Sequence, residues 1–237
     1  MLIRVVSDVH GNTAGLAAVL DDPPGRTADV TVCLGDVVGY GAEPSECISM
    51  VRQACDVVVR GNHDSGASGL LSDAHFNEAG AAAIRWTRGL LSDAEREWLG
   101  SLPIDAVIDG CLYLCHSDPA DPEGWGYMMR PFQAVDACSA REGLTCIVGH
   151  THLACAWTAV GGFTDGSSGS TASWRLLNCG SAGQPRDRNP EAAYMLVDTS
   201  GGRWEHLRVP YDIDDAAMKI RDAGLPDVLW RRLYDGF

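Results

Sequence analysis

The chain has 237 residues, with 32 Asp or Glu against 18 Lys or Arg and a formal net charge of −14, which suits one sizeable α/β domain. Its 46% apolar and 21% charged residues are those of a folded globule and exclude a disordered chain. The acidic balance speaks against holding long nucleic acid by general electrostatics, and no run approaches the roughly 18 apolar residues of a membrane span.

Short apolar runs alternate with helical patterns along the chain. Strands are expected at Leu2–Ser7, Val30–Leu34, Val57–Val59, Ile104–Ile108, Cys111–Cys115, Cys146–Val148, Leu153–Trp157, Trp174–Asn178, Ala192–Val197 and Trp204–Val209. Asn12 is placed to cap a helix over Thr13–Leu20, and Pro44 opens another that runs to Gln53. Ser92-Asp-Ala-Glu95 is a capping box. Residues 66–90 read as one or two further helices. The front half is therefore β-α-β-α-β and the back half mostly strand. A four-layer α/β/β/α sandwich of two mixed sheets flanked by helices accommodates both. The domain is expected over residues 1–210, with a helical cap-like insertion at about 65–100. Residues 211–237 form an amphipathic tail that packs on the domain or on a partner. Gly161–Ser170 reads as a hairpin loop. The nine cysteines contain no Cys-x-x-Cys pair and lie mainly in apolar runs, so buried free thiols are expected. Residues 1–10 carry no leader pattern, which makes a cytoplasmic location the expectation.

The chemistry sits at strand ends. Asp8-Val-His10-Gly-Asn12 follows the first strand, Gly35-Asp36 the second and Gly61-Asn62-His63-Asp64 the third. His116 and Gly149-His150-Thr-His152 follow two later ones. Carboxyl ends of strands share an edge where ligands bind, so these groups are expected to converge. Five of the seven histidines fall in them. Imidazole and carboxylate donors without thiolate suit Mn, Fe, Zn, Co or Ni, and two such ions ~3.5–4 Å apart clamp a phosphate and activate water.

The ordered series Asp-x-His, Gly-Asp, Gly-Asn-His-Asp, His and Gly-His-x-His resembles the calcineurin-like metallophosphoesterase superfamily over residues 1–210. The resemblance implies two divalent ions, with manganese the leading expectation and Fe, Zn, Ni, Co or Mg as alternatives. It implies that Asp8, His10, Asp36 and His152 hold one ion, and that Asp36, bridging, joins Asn62, His116 and His150 on the other. His63 would face the substrate and handle a proton, with Asp64 orienting it. The glycine at 61 is expected to let the loop bend sharply.

Arg186 and Arg188 follow the glycine-rich turn Asn178-Cys-Gly-Ser-Ala-Gly183. Arg130 ends a loop in which Trp125 and Tyr127 either stack on a ring or close against the core. These arginines, with Tyr40, are the candidate substrate contacts. In Gly35-Asp-Val-Val-Gly-Tyr40, Tyr40 stands where protein serine/threonine phosphatases have an arginine, which argues against that activity. His75 and His206 are expected to be an exposed and a structural histidine. The leading expectation is a phosphatase acting on a small phosphorylated metabolite or nucleotide. The alternatives are a phosphodiesterase of cyclic nucleotides or other small diesters, and a non-catalytic metal-holding scaffold. Oligomeric state is left open.

Overall fold

A computed structural model describes residues 1–237. The front half runs β1 (Leu2–Val6), α1 (Thr13–Asp21), β2 (Val30–Cys33), α2 (Pro44–Ala54), β3 (Val57–Val58), α3 (Asn62–Ser68), α4 (Glu78–Leu90) and α5 (Asp93–Ser101). The back half adds β4 (Asp105–Ile108), β5 (Leu112–Cys115), α6 (Pro131–Ala140), β6 (Thr145–Val148), β7 (Ala154–Thr158) and β8 (Phe163–Thr164). It closes with β9 (Ser168–Ser170), β10 (Trp174–Cys179), β11 (Ala192–Asp198), β12 (Arg203–Val209), α7 (Ile213–Asp222) and α8 (Asp227–Asp235).

The strands form two six-stranded mixed sheets, ordered β3-β2-β1-β11-β12-β9 and β4-β5-β6-β10-β7-β8. Parallel pairs β1–β2, β2–β3, β5–β6 and β6–β10 align the strand ends that carry the polar motifs. The period-2 alternation decides the layers. Ile3 and Val5 of β1 face the second sheet and pack with Leu114, Ile147, Leu177 and Met195, whereas Val6 joins the cluster under α1 and α2 with Leu16, Val19, Cys47 and Val51. A third cluster, with Tyr113, Val148, Trp157 and Ala137, fixes α6 on the outer face of the second sheet. Two packed sheets with helices outside are the sandwich expected from the alternation of elements.

Local signals work as the sequence indicates. The Asn12 side chain accepts from the Gly15 N–H, and Ser92 and Glu95 form a reciprocal capping box. Residues 161–170 differ from the expected loop: β8 pairs with β7 and β9 pairs with β12, so this segment adds an edge strand to each sheet. Backbone groups at a sheet edge recruit even a Gly/Ser-rich segment when its ends are already held there. All nine cysteines are free thiols, six of them buried. No helix is long and apolar enough to cross a membrane. In the tail, Ala216, Ile220, Leu229 and Leu233 of α7 and α8 form one buried cluster with Tyr40 and Ala83.

Candidate metal centre

The two sheets are joined at their shared strand ends by hydrogen bonds between the motifs. The Asp8 carboxylate accepts the backbone N–H of His150 at 3.0 Å, Nδ1 of His116 lies 2.8 Å from the Leu34 carbonyl, and Gly183 N–H donates to the Asp8 carbonyl at 3.0 Å. Asp8, His10, Asp36, Asn62, His116, His150 and His152 are all buried there. Three trios have donor atoms within 4.8 Å of one another: Asp8–His10–His152, His10–Asp36–His63 and Asp36–His116–His150. Asp36 belongs to two of them, with Oδ2 3.2 Å from His116 Nε2 and 3.6 Å from His10 Nε2.

Hydrogen bonding fixes what the imidazoles present. Nδ1 of His10 lies 3.1 Å from the Val38 carbonyl and Nδ1 of His152 lies 2.5 Å from the Gln184 carbonyl. A carbonyl only accepts, so each Nδ1 carries the proton and each Nε2 presents a lone pair. Those two Nε2 atoms face each other at 3.1 Å, with Asp8 Oδ1 3.3 Å from one and 3.7 Å from the other. Burial drives both imidazoles well below the ordinary histidine range, so neither supplies a shared proton. Asp8 Oδ1 has no hydrogen-bond partner although the residue is fully buried. Burial raises Asp8 to about 6, which still leaves it anionic at neutral pH, so three lone pairs converge with no proton among them and form a candidate cation site by their chemistry.

The second cluster is built alike. His116 Nδ1 binds the Leu34 carbonyl, His150 Nε2 binds the Trp125 carbonyl at 3.1 Å, and the remaining nitrogens face each other at 3.1 Å beside Asp36. Burial lowers His150 to about 3 with help from His116. Burial alone would lower His116 too, but the charge and hydrogen bond of Asp36, with Asp8 behind, lift it to about 9. The carboxylates thus call for positive charge at this point. Asn62, at the start of α3, has a buried Oδ1 without a partner. Orphaned buried acceptors in an imidazole-carboxylate set fit two divalent cations.

Five of the seven candidate ligands, Asp8, His10, Asp36, His150 and His152, have left-handed backbone with φ between 50° and 65°. Side-chain-bearing residues adopt that region at a cost, and such strain concentrates where side chains must be aimed.

His63 lies on the flank of this cluster. Its ring contacts Tyr40, Phe76 and His10 at centroid distances of 4.3, 4.8 and 4.8 Å, and its buried Nδ1 has no partner. Burial, opposed by Asp36, lowers it to about 4. The expected link from Asp64 to this ring is not made. Asp64 instead accepts the backbone N–H groups of Val37, Val38 and Gly61 at 2.9, 3.3 and 3.0 Å. Both residues lie in α3, and consecutive helical residues point about 100° apart, so Asp64 reaches the Asp36 loop while His63 reaches the site. Gly61 also differs from expectation. Its φ of −94° suits any residue, but a side chain there would overlap the Asp36 carboxylate. Gly39, with φ of +87°, makes the same room for the His63 ring.

Among the candidate substrate contacts, Tyr40 and Arg186 are brought to the site. The Tyr40 ring lies 4.6 Å from His10, and the Arg186 guanidinium stands 5.5 Å from the Tyr40 centroid. Arg130 and Arg188 are exposed, and neither makes a hydrogen bond or ion pair to the cluster; Arg188 only donates its backbone N–H to the Gly236 carbonyl. Tyr127 stacks on His150 at 4.1 Å and Trp125 holds that ring through its carbonyl, so their loop closes over one candidate ligand. His75 is exposed, and His206 is buried with Nε2 2.8 Å from the Asn178 carbonyl, as expected of a structural residue. Sequence patterning missed Phe76, Gln184 and Arg232. Phe76 directly follows the single 3-10 turn Asp73–His75, and Arg232 is one cation among several on an amphipathic helix, so neither carries a local signal.

The model of the calcineurin-like phosphoesterase superfamily domain matches residues 1–202. An uncharacterised protein of Methanocaldococcus jannaschii is 37% identical over 249 residues, spanning 99% of this chain and 98% of its own. Among solved structures, a metallophosphoesterase from Sphaerobacter thermophilus matches with a TM-score of 0.89 and 35% identity, covering 100% of this chain and 99% of that one. A hypothetical protein from Pyrococcus horikoshii has the same fold, with a TM-score of 0.81 at 20% identity over 100% of this chain and 98% of its own.

Proposed function

Because the chain belongs to the calcineurin-like phosphoesterase superfamily and is a metal-dependent phosphoric ester hydrolase, we propose that it acts as a phosphatase on a small phosphorylated metabolite or nucleotide. The observation that carries this reading is the pair of imidazole lone pairs, from His10 and His152, facing each other at 3.1 Å beside the unpartnered oxygen of Asp8. Asp8, His10, Asp36 and His152 would hold one ion, and Asp36, Asn62, His116 and His150 the other. Two divalent ions held by these residues would supply Lewis-acid polarisation of a phosphoryl group and a water nucleophile at neutral pH. Manganese is our choice of ion, since the donors are nitrogen and oxygen without thiolate.

The chain's own residues do the rest. Asp36 lies between the two trios and also accepts the His63 backbone N–H at 2.8 Å, which couples the position of the proton-handling residue to that of the ligands. Nδ1 of His63 is buried against Gly39, so Nε2 is the ring nitrogen left to meet a substrate oxygen. Burial keeps that ring neutral in the free protein, so it offers a single N–H as a hydrogen-bond donor, and it acts as a general acid only once it has taken up a second proton. The carbonyls of Val38, Leu34, Gln184 and Trp125 lock the four ligand rings. Arg186 supplies fixed positive charge beside His10 and His63, and a phosphomonoester, with one more negative charge than a diester, gains more from it. A phosphodiesterase of small diesters is the second reading, because the same ligands serve both.

The test is hydrolysis of p-nitrophenyl phosphate and bis-p-nitrophenyl phosphate by chelator-stripped protein reloaded with manganese, with His63→Asn beside it. Metal-dependent turnover of the monoester, reduced in the variant, is the expected result. Preference for the diester selects the second reading. Two bound ions without turnover of either compound would leave a metal-holding scaffold in its place.

A further inference from the structure

We propose that Arg186 and Arg232 together form an anion subsite beside the metal centre, and that the substrate carries a second oxyanion, a carboxylate or a phosphoryl group, besides the phosphoester that is cleaved. This rests on the phosphatase reading for the identity of the first group.

The pair is assembled from distant parts of the chain. Arg186 follows the glycine-rich turn after β10, and Arg232 projects from α8, which is anchored by Leu229 and Leu233 in the cluster shared with Tyr40. Their guanidinium carbons stand 5.5 and 5.7 Å from the centroid of the Tyr40 ring. Each donates to the same atom, Oε1 of Gln184, at 3.1 Å. Gln184 is itself buried, and its carbonyl binds the ligand His152 at 2.5 Å. One rigid turn therefore fixes both cations to the metal centre.

Neither guanidinium forms an ion pair within 4.0 Å. The chain carries 32 carboxylate residues against 18 basic ones, so partners were plentiful, and eight other Lys or Arg side chains do pair with Asp or Glu. Buried Nε of Arg186 has no hydrogen-bond partner at all. Two half-buried like charges sharing one neutral acceptor repel each other, and their donors remain under-used. An oxyanion answers both deficits, accepting from two planar donor forks.

The arrangement is graded. The Tyr40 ring contacts His10 and His63 as well as both guanidinium groups. Arg186 donates its backbone N–H to the carbonyl of His152 at 3.2 Å, while Arg232 reaches the centre only through Gln184 and Tyr40. Arg232 is therefore the outer member, placed for a group beyond the scissile phosphoryl. Selection of a substrate with two anionic groups also suits an acidic protein, whose overall field repels anions except where cations are held uncompensated.

The experiment is calorimetric titration of manganese-loaded protein with ethylphosphonate, phosphonoacetate and ethane-1,2-bisphosphonate, none of which has a hydrolysable ester. Wild-type protein should bind at least one of the two doubly anionic compounds about tenfold more tightly than ethylphosphonate, as two charge-assisted bonds allow. Arg232→Met, which keeps the apolar stem, and Arg232→Gln should both erase that preference while leaving ethylphosphonate affinity within about twofold. Which of the two compounds is preferred tells carboxylate from phosphoryl. Equal binding of all three by the wild type overturns the subsite, as does a preference that survives in both variants or failure of both doubly anionic compounds to bind. Binding with the expected preference but no turnover of nitrophenyl esters would sink the phosphatase reading and leave the subsite standing.

Discussion

The carboxylate of Asp64 accepts the backbone N–H groups of Gly61 and Val37 at 3.0 and 2.9 Å and leaves Nδ1 of its neighbour His63 without a partner. Two adjacent polar residues therefore have separate tasks. Asp64 ties the start of α3 to the loop that carries Asp36, and burial with the nearby Asp36 charge pushes its own pKa up to about 7.

Asp64→Asn should lower stability by about 1–3 kcal/mol, since an amide presents a donor to one of those N–H groups. The shape of the pH–rate profile should be unchanged, because the carboxylate does not reach the His63 ring. His63→Asn should do the reverse, lowering kcat by ~10²–10⁴ at little cost in stability. Denaturant melts and pH–rate profiles of the two variants decide the assignment, and a shifted profile for Asp64→Asn would overturn it.

Removing the ions should destabilise the fold, because the centre joins both sheets through Asp8, His150 and His116. Manganese at a free concentration of about 100 Kd should raise stability by about 2.7 kcal/mol for each site it fills. Elemental analysis should find two ions in the wild type. For His152→Ala it should find a loss confined to the site shared with Asp8 and His10, and calorimetry should show a correspondingly smaller shift on metal addition.

Gly61→Ala introduces a Cβ that overlaps the Asp36 carboxylate. Asp36 belongs to both trios that lie beyond Asp8, so this one methyl should weaken retention of both ions and abolish most activity. The backbone at Gly61, with φ of −94°, tolerates alanine, so helix content should be preserved. Metal stoichiometry together with far-ultraviolet circular dichroism separates this outcome from general misfolding.

Burial holds His206 below its ordinary value of 6.5, with the Asn178 and Gly166 carbonyls pulling the other way. The native protein keeps the ring neutral at pH values where the unfolded chain takes up a proton. Its contribution is therefore intact above pH 6.5 and is lost progressively as pH falls from there toward the lower native value. Replacing it in His206→Gln should remove that component, so the stability gap between wild type and variant should shift in favour of the variant between about pH 7.5 and about pH 5.5. Denaturant midpoints at the two pH values measure it, and a constant gap would refute it.

Much of the site was legible because its residues obey a positional rule. Asp8, Asp36, Asn62, His116 and His150 each follow a strand, and parallel strands bring such positions to one edge whatever lies between them. The sandwich was legible from the same alternation. Direction is what spacing does not encode. His63 and Asp64 are adjacent in sequence, yet a helix begins at Asn62 and turns them apart. Arg130 sits at the N-terminal cap of α6 with its side chain exposed, while Arg232, 46 positions beyond Arg186, packs against the same tyrosine. Helical periodicity marks Leu229 and Leu233 as buried, but it does not say which neighbour they are buried against, and that neighbour decides where Arg232 arrives. The edge strands β8 and β9 escaped notice because a Gly/Ser-rich segment has no pattern of its own.

The left-handed backbone at Asp8, His10, Asp36, His150 and His152 bears on how this sequence can change over generations. Each such residue costs on the order of 1 kcal/mol relative to glycine in that conformation, and the ions offset this only while the ligands hold them. A duplicated gene relieved of selection for turnover would gain robustness when one of these residues drifts to glycine or asparagine. Loss of catalysis is then downhill in folding energy. Inert descendants of this scaffold should be well-folded proteins, and persistence of all five residues in a lineage is a record of continued use.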